Sequence, residues 1–243
     1  MQVPFSIQQG NHSNHKHEHT HSHDLLTRGQ FTTRPKAIHR DYSTRQFTVG
    51  IAGPVGSGKT ALALRLCQKL KNEIEMAVIT NDIFTKEDGE FLIKHSALPE
   101  DRIVAVQTGS CPHAAIREDI TMNLNAAEEL SNKFNLQLLL IESGGDNLAA
   151  SFSRKLADFI IYVIDTSGGD KIPRKGGPGV CESDLLVINK SDIAEYVECN
   201  LPQMVSDALM MRDNGPVVVT NLKDDVGVDK VIEQILQAMP KEE

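Results

Sequence analysis

Residues 53–60 read Gly-Pro-Val-Gly-Ser-Gly-Lys-Thr, and no other part of the chain constrains the fold as strongly. Glycines at the first and sixth positions let the backbone turn tightly enough to aim successive N–H groups at a phosphate. Lys59 is placed to reach β and γ oxygens, and the Thr60 hydroxyl to coordinate Mg²⁺. Such a loop works only between a strand and a helix, and the flanks supply both. Phe47-Thr48-Val49-Gly50-Ile51-Ala52 is a short β-type run, while residues 60–70 are strong helix formers carrying an apolar stripe. The new helix N-terminus adds its own attraction for anions. Gly53, Pro54, Val55, Gly56, Ser57, Gly58, Lys59 and Thr60 are therefore the expected cradle of a nucleotide.

The sequence beyond the loop alternates in the same way. Short apolar runs at 47–52, 76–80, 103–106, 136–141, 159–164, 185–189 and 217–220 predict strands. Helical patterns cover 60–72, 114–131, about 195–211 and 226–238. Continuous runs such as Leu138-Leu139-Leu140-Ile141 suit strands covered on both faces, so the expected fold is α/β: a phosphate-loop NTPase with a mostly parallel sheet flanked by helices. In such sheets the ligand sits at the carboxyl ends of the strands, where the polar clusters of this sequence fall. Composition breaks sharply near residue 45. Residues 1–44 carry six histidines between His12 and His23 and almost no apolar periodicity, which predicts a disordered His-rich tail ahead of one domain over 45–243.

Composition excludes several functions. A net charge of −8 with 5% aromatic residues and no Trp speaks against a nucleic-acid partner, which needs a basic face or stacking platforms. The longest uninterrupted apolar stretch, Phe159 to Ile164, is far too short to cross a bilayer, so no membrane association is expected. No charged start followed by an apolar core marks a secretory signal, and Cys67, Cys111, Cys181 and Cys199 show no disulfide-scaffold spacing. A reducing, cytoplasmic setting is expected.

The phosphate loop does not choose its base, but Val187-Ile188-Asn189-Lys190-Ser191-Asp192 does. The form Asn-Lys-x-Asp after an apolar strand is a guanine-reading signature. The Asp192 carboxylate accepts from both the ring N–H and the exocyclic amine of guanine, which adenine cannot offer. Lys190 would lay its stem along the base, and Asn189 would brace the loop. Two acidic groups end strands: Asp82 after Ala77-Val78-Ile79-Thr80-Asn81, and Glu142 after Leu138-Leu139-Leu140-Ile141. Both are placed to hold Mg²⁺ or its waters beside Thr60. The bland alternative for Asp82 is a cap on the following turn. Lys59, Asp82 and Glu142 are the candidate catalytic groups, and no general base is evident. The glycine pair after Ser143 would let the backbone approach a γ-phosphate and swing when it leaves.

Cys111-Pro112-His113 is the most specific feature outside the nucleotide elements. A thiolate and an imidazole two residues apart, with Pro fixing φ between them, form a two-ligand corner. A two-fold dimer would supply the pair twice, giving S₂N₂ coordination. Square-planar geometry would suit Ni²⁺ or Cu²⁺ and tetrahedral geometry Zn²⁺; residue type leaves this open. The His12–His23 tract offers loose metal binding of variable stoichiometry. His39 and His95 show no partner.

These elements occur together and in order: Gly53–Thr60, Thr80-Asn-Asp-Ile-Phe-Thr-Lys-Glu-Asp88, Thr108-Gly-Ser-Cys-Pro-His113, Glu142-Ser-Gly-Gly-Asp146, Lys171-Ile-Pro-Arg-Lys-Gly-Gly-Pro-Gly179 and Asn189–Asp192. From about Thr48 to the C-terminus the chain closely resembles the UreG family of urease accessory GTPases. The nearest relatives of that family share the nucleotide elements without the Cys-Pro-His setting. The resemblance implies a GTPase that uses GTP and Mg²⁺, and a homodimer formed on binding GTP and Ni²⁺. It also implies delivery of nickel to apo-urease alongside other urease accessory proteins. On that pattern Cys111 and His113 of each protomer are the Ni²⁺ ligands in square-planar geometry, and Thr60, Asp82 and Glu142 stand on the Mg²⁺ side. The Lys171–Gly179 stretch is family-like by resemblance alone; physically it offers Arg174 and Lys175 as free cations beside a glycine hinge. Alternatives are a nickel- or cobalt-inserting GTPase serving hydrogenase or a cobalamin-dependent enzyme, a small-molecule kinase, and a metal buffer built on the histidine tract.

Overall fold

Seven strands pair side by side in the order β3-β2-β4-β1-β5-β6-β7, every neighbouring pair parallel. They are β1 (Phe47–Ala52), β2 (Met76–Asp82), β3 (Ile103–Gln107), β4 (Leu138–Glu142), β5 (Phe159–Asp165), β6 (Leu185–Asn189) and β7 (Val217–Val219). The helices are α1 (Lys59–Leu70), α2 (Glu87–Lys94), α3 (Pro112–Arg117), α4 (Thr121–Phe134), α5 (Ile172–Lys175), α6 (Pro178–Glu182), α7 (Leu201–Met211) and α8 (Val228–Ala238). The structure is a computed structural model that describes residues 31–38, 42, 45–82, 86–108, 112–145 and 152–240, with residues 112–114 described as backbone only.

The continuous apolar strands are buried on both faces, and their period of two deals alternate residues to two cores. Leu138 and Leu140 pack with Leu62 and Leu66 of α1, Leu92 of α2 and Val231 of α8. Leu139 and Ile141 pack on the other face with Ile116 of α3, Leu130 of α4 and Met204 of α7. All seven expected strands are present, within two residues at each end. The helical pattern over 114–131 resolves into α3 and α4. The break falls at Glu118–Ile120, where the Asp119 carboxylate accepts from the Thr121 N–H at 3.3 Å, a local bond that competes with helix continuation. The pattern from about 195 begins as a helix only at Leu201, with the Asn200 side chain capping Gln203 N–H at 3.1 Å.

Strand order positions the site. Glu142 at the end of β4 lies in register with Ile51 of β1 on one side and Thr80 of β2 on the other. The carboxyl ends of β2, β4 and β1 are therefore adjacent, and whatever follows each strand meets there.

Of the described residues before Arg45, Phe31, Arg34 and Tyr42 are half-buried against the domain and the others are exposed. Phe31 is sandwiched between the Arg34 and Arg212 guanidinium groups, 3.8 and 4.9 Å from its ring centre. Arg34 also pairs with Asp184 at 3.1 Å. The His12–His23 tract and His39 lie outside the described residues.

Candidate functional site

The chain leaves β1 directly into the phosphate-loop octet. Gly53 and Gly58 hold φ of 144° and 105°, in the region that favours glycine. A Cβ at Gly53 would strike the Val163 carbonyl, and one at Gly58 the Asn189 amide. The loop is thus shaped by two neighbours that only glycine clears. Lys59 opens α1 with its side chain turned back, Nζ donating to the Pro54 carbonyl at 3.1 Å.

A cavity of about 460 Å³ opens over the loop, bounded by Lys59, Thr60, Asp82, Asp88, Glu142 and the Gly144-Gly145 pair. All three residues expected on the Mg²⁺ side are therefore together, as strand adjacency requires. Thr60 Oγ1 lies 2.6 Å from Glu142 Oε1 and 2.9 Å from Asp88 Oδ1. Glu142 is fully enclosed, its carboxyl pushed up to about 8 by burial first and the Asp88 charge second, against lowering by Thr60 and Lys59. One hydroxyl proton cannot serve two carboxylates. A protonated Glu142 removes the conflict, donating to Thr60 while Thr60 donates to Asp88. Glu142 Oε2 and Ser57 Oγ are buried without hydrogen-bond partners among the described residues. One enclosed carboxyl and two half-buried ones, beside a glycine cradle, fit a small dication carried in on phosphate oxygens.

The raised Glu142 carboxyl has a stability consequence. The folded, nucleotide-free chain holds this proton from about pH 4.5 to about 8, whereas the unfolded chain releases it near 4.5. Stability from this group is full below pH 4.5 and is lost as pH rises through 8, on the order of 3 kcal/mol by pH 7. Glu142→Gln is expected to melt several degrees above wild type at pH 8, with the gap closing toward pH 5, in thermal unfolding without nucleotide. A gap independent of pH would contradict this account.

Asp88 was not anticipated, because α2 was not. The helix is only eight residues long, and its Phe91-Leu92-Ile93 run carries no helical period. Gly89 of α2 is tight against Thr80 and Ala105, which draws the helix onto β2 and β3 and puts Asp88 over Thr60.

A second cavity of about 580 Å³ meets the first at Gly58 and is bounded by Asn189, Lys190, Asp192 and Leu222. Asn189 braces the loop as expected: its Nδ2 donates to the Ser57 carbonyl at 3.0 Å. Its Oδ1 accepts from Thr220 Oγ1 at 3.1 Å and Leu222 N–H at 3.2 Å. Lys190 takes φ of 59°, with its carbonyl accepting from Thr166 Oγ1 at 2.7 Å and Nζ 3.3 Å from Asp165. Phe91 and His95, at the C-terminal end of α2, line the same cavity.

Cys111 lies outside the described residues, and of His113 only the backbone is described, in the first turn of α3. Among the described residues no three His, Cys, Asp or Glu side chains form a metal cage. Cys67, Cys181 and Cys199 are buried, and burial pushes each thiol up, that of Cys67 to about 12. Arg174, expected as a free cation, is instead paired with the buried Asp207 at 2.8 Å and with Asp170 at 3.5 Å. Among the described residues no helix is long and apolar enough to cross a membrane.

Residues 47–219 match the family described as CobW/HypB/UreG, nucleotide-binding domain. Among solved structures, the hydrogenase maturation factor HypB from Archaeoglobus fulgidus is 26% identical over 79% of this chain and 89% of its own, with a TM-score of 0.66. HypB from Helicobacter pylori, solved in complex with nickel, is 18% identical over 83% of this chain and 94% of its own, with a TM-score of 0.65, and shows the fold alone.

Proposed function

The chain belongs to the CobW/HypB/UreG nucleotide-binding family, and from that premise we propose that it is a GTP-hydrolysing nickel metallochaperone of urease maturation. The observation that supports this reading is that Pro112 and His113 open α3, which packs on β2, the strand that ends in Asp82. A cargo corner there and a nucleotide site would share one end of the sheet. The other three thiols are buried and raised, poor starting points for a metal thiolate. Cys111 and His113 from each of two protomers would make the S₂N₂ set, closed by Ni²⁺ in a GTP-dependent dimer of a cytoplasmic protein.

Within each protomer the residues divide the work. Lys59 leaves Pro54 O to meet the β and γ oxygens of GTP, the loop N–H groups hold the phosphates, and Asp192 reads guanine. Thr60, Asp82, Glu142 and the newly placed Asp88 would hold Mg²⁺, which supplies charge neutralisation at the phosphates. Catalysis rests on positioned water and fixed charge rather than a strong base. Loss of the γ-phosphate frees the Gly144-Gly145 backbone, loosening the dimer and releasing the metal to apo-urease within a complex of other urease accessory proteins.

HypB relatives make a hydrogenase-directed nickel inserter the second reading. Activation assays separate the two. The chain loaded with GTP, Mg²⁺ and Ni²⁺ is expected to restore activity to apo-urease together with urease accessory proteins, and to leave an apo-hydrogenase inactive. The reverse pattern would replace the urease assignment with the hydrogenase one.

A further inference from the structure

Two fully buried amides, Asn81 at the end of β2 and Asn123 in α4, take no part in the site as described above, yet they join its two halves. Asn81 Nδ2 donates to Asn123 Oδ1 at 3.0 Å and to the backbone carbonyl of Glu142 at 2.9 Å. Asn123 Nδ2 returns a bond to Asn81 Oδ1 at 2.9 Å and donates to the Ala115 carbonyl of α3 at 3.0 Å. Every amide proton of the pair is used, and both side chains are without exposure. Breaking any of these bonds would strand a buried polar group, so the pair moves as a unit with what it holds.

What it holds is specific. One end grips the residue that carries the enclosed carboxyl of the phosphate cavity. The other grips α3, two residues past His113. The neighbouring residue, Asp82, completes a second tie: its carbonyl accepts from Thr108 N–H at 2.9 Å and from Thr108 Oγ1 at 3.1 Å. The segment from Thr108 to Ala115 contains Cys111-Pro112-His113; Thr108 is bonded directly to Asp82 at the tip of β2, and the Ala115 carbonyl is tied to the neighbouring Asn81 through Asn123. The geometry points to Asn81 and Asn123 as positioning residues that transmit the state of the nucleotide site to the metal-binding corner. This rests on the proposed role of Cys111 and His113 and names how their affinity is regulated. A shift of the β2 tip and the Glu142 strand end when the phosphates are engaged is passed to α3, because the buried amide pair bonds the Glu142 carbonyl to the Ala115 carbonyl.

Two measurements on the full chain test this. In the first, nickel dissociation constants are measured in GTP·Mg²⁺ and in GDP·Mg²⁺, and their ratio is the coupling between the sites. Asn123→Ala is expected to keep its GTP affinity within about threefold of wild type while the ratio falls to about one. A folded variant with the wild-type ratio overturns the proposal, as does one that loses GTP and nickel affinity together, since that marks a merely structural role. The second measurement needs no variant. Hydrogen exchange of α3 amides in the nickel-free wild type is expected to slow on replacing GDP by GTP with Mg²⁺, and equal exchange in the two states overturns the link. An α3 response in a chain whose nickel affinity ignores GTP would sink the metallochaperone reading and leave the amide link standing. Nickel affinity that follows GTP with α3 unresponsive does the opposite.

Discussion

Asp192→Asn is expected to exchange guanine for xanthine. The wild-type carboxylate offers two acceptors to the N1–H and exocyclic amine of guanine. An Asn amide offers one acceptor and one donor, which suits the N1–H and the C2 carbonyl of xanthine and leaves the guanine amine facing another donor. Discrimination that leaves one donor facing another is large, so GTP affinity is expected to fall at least about a hundredfold, with XTP binding appearing in its place. The turn that carries Asp192 is held independently of the substitution. Ser191 N–H donates to the Thr220 carbonyl at 3.1 Å, and Thr166 holds the Lys190 carbonyl at 2.7 Å. Competition binding with GTP, ATP and XTP reads the result. Unchanged GTP preference in Asp192→Asn would mean that the base is read elsewhere in the 580 Å³ cavity.

Cys111→Ala carries the second large effect. Removing one thiolate from each protomer takes two of four ligands from a shared site, and an S₂N₂ centre reduced to two imidazoles loses its soft donors altogether. The nickel bound only in the presence of GTP is expected to disappear in equilibrium dialysis, with GTP affinity unchanged because Cys111 has no part in the proposed nucleotide contacts. Nickel held by the His12–His23 tract would be independent of nucleotide and would form a constant background. A variant that keeps its GTP-dependent nickel would remove Cys111 from the cargo site and the proposed coupling with it.

The fold was legible because it rests on patterns that tertiary context reinforces. Leu138–Ile141 and Phe159–Ile164 are apolar without interruption, which only a strand buried on both faces tolerates. The phosphate loop and the Asn189–Asp192 turn were readable because their chemistry is local: backbone N–H groups, one lysine, one carboxylate. Asp82 and Glu142, sixty residues apart in the chain, were expected together from their strand-end positions, and they meet because β2, β4 and β1 are neighbours. What the sequence hid depends on packing between elements. Asp88 could not be placed, since its helix is short, interrupted by Gly89 and formed by packing on β2 and β3 rather than by its own period. The only advance signal was its membership in the Thr80–Asp88 stretch. Asn81 and Asn123 were invisible for a similar reason. A buried amide pair has no sequence signature until the fold brings its members within 3.0 Å.

Nucleotide, cargo and assembly are joined in this account by one requirement: the dimer forms only when all three of GTP, Mg²⁺ and Ni²⁺ are present. Light scattering of the full chain, a 26.7 kDa protomer, measures this directly. The account predicts a doubling of mass with GTP, Mg²⁺ and Ni²⁺ together and a monomer when any one is omitted or GDP replaces GTP. A monomer in the complete mixture, or a dimer without nucleotide, would contradict it.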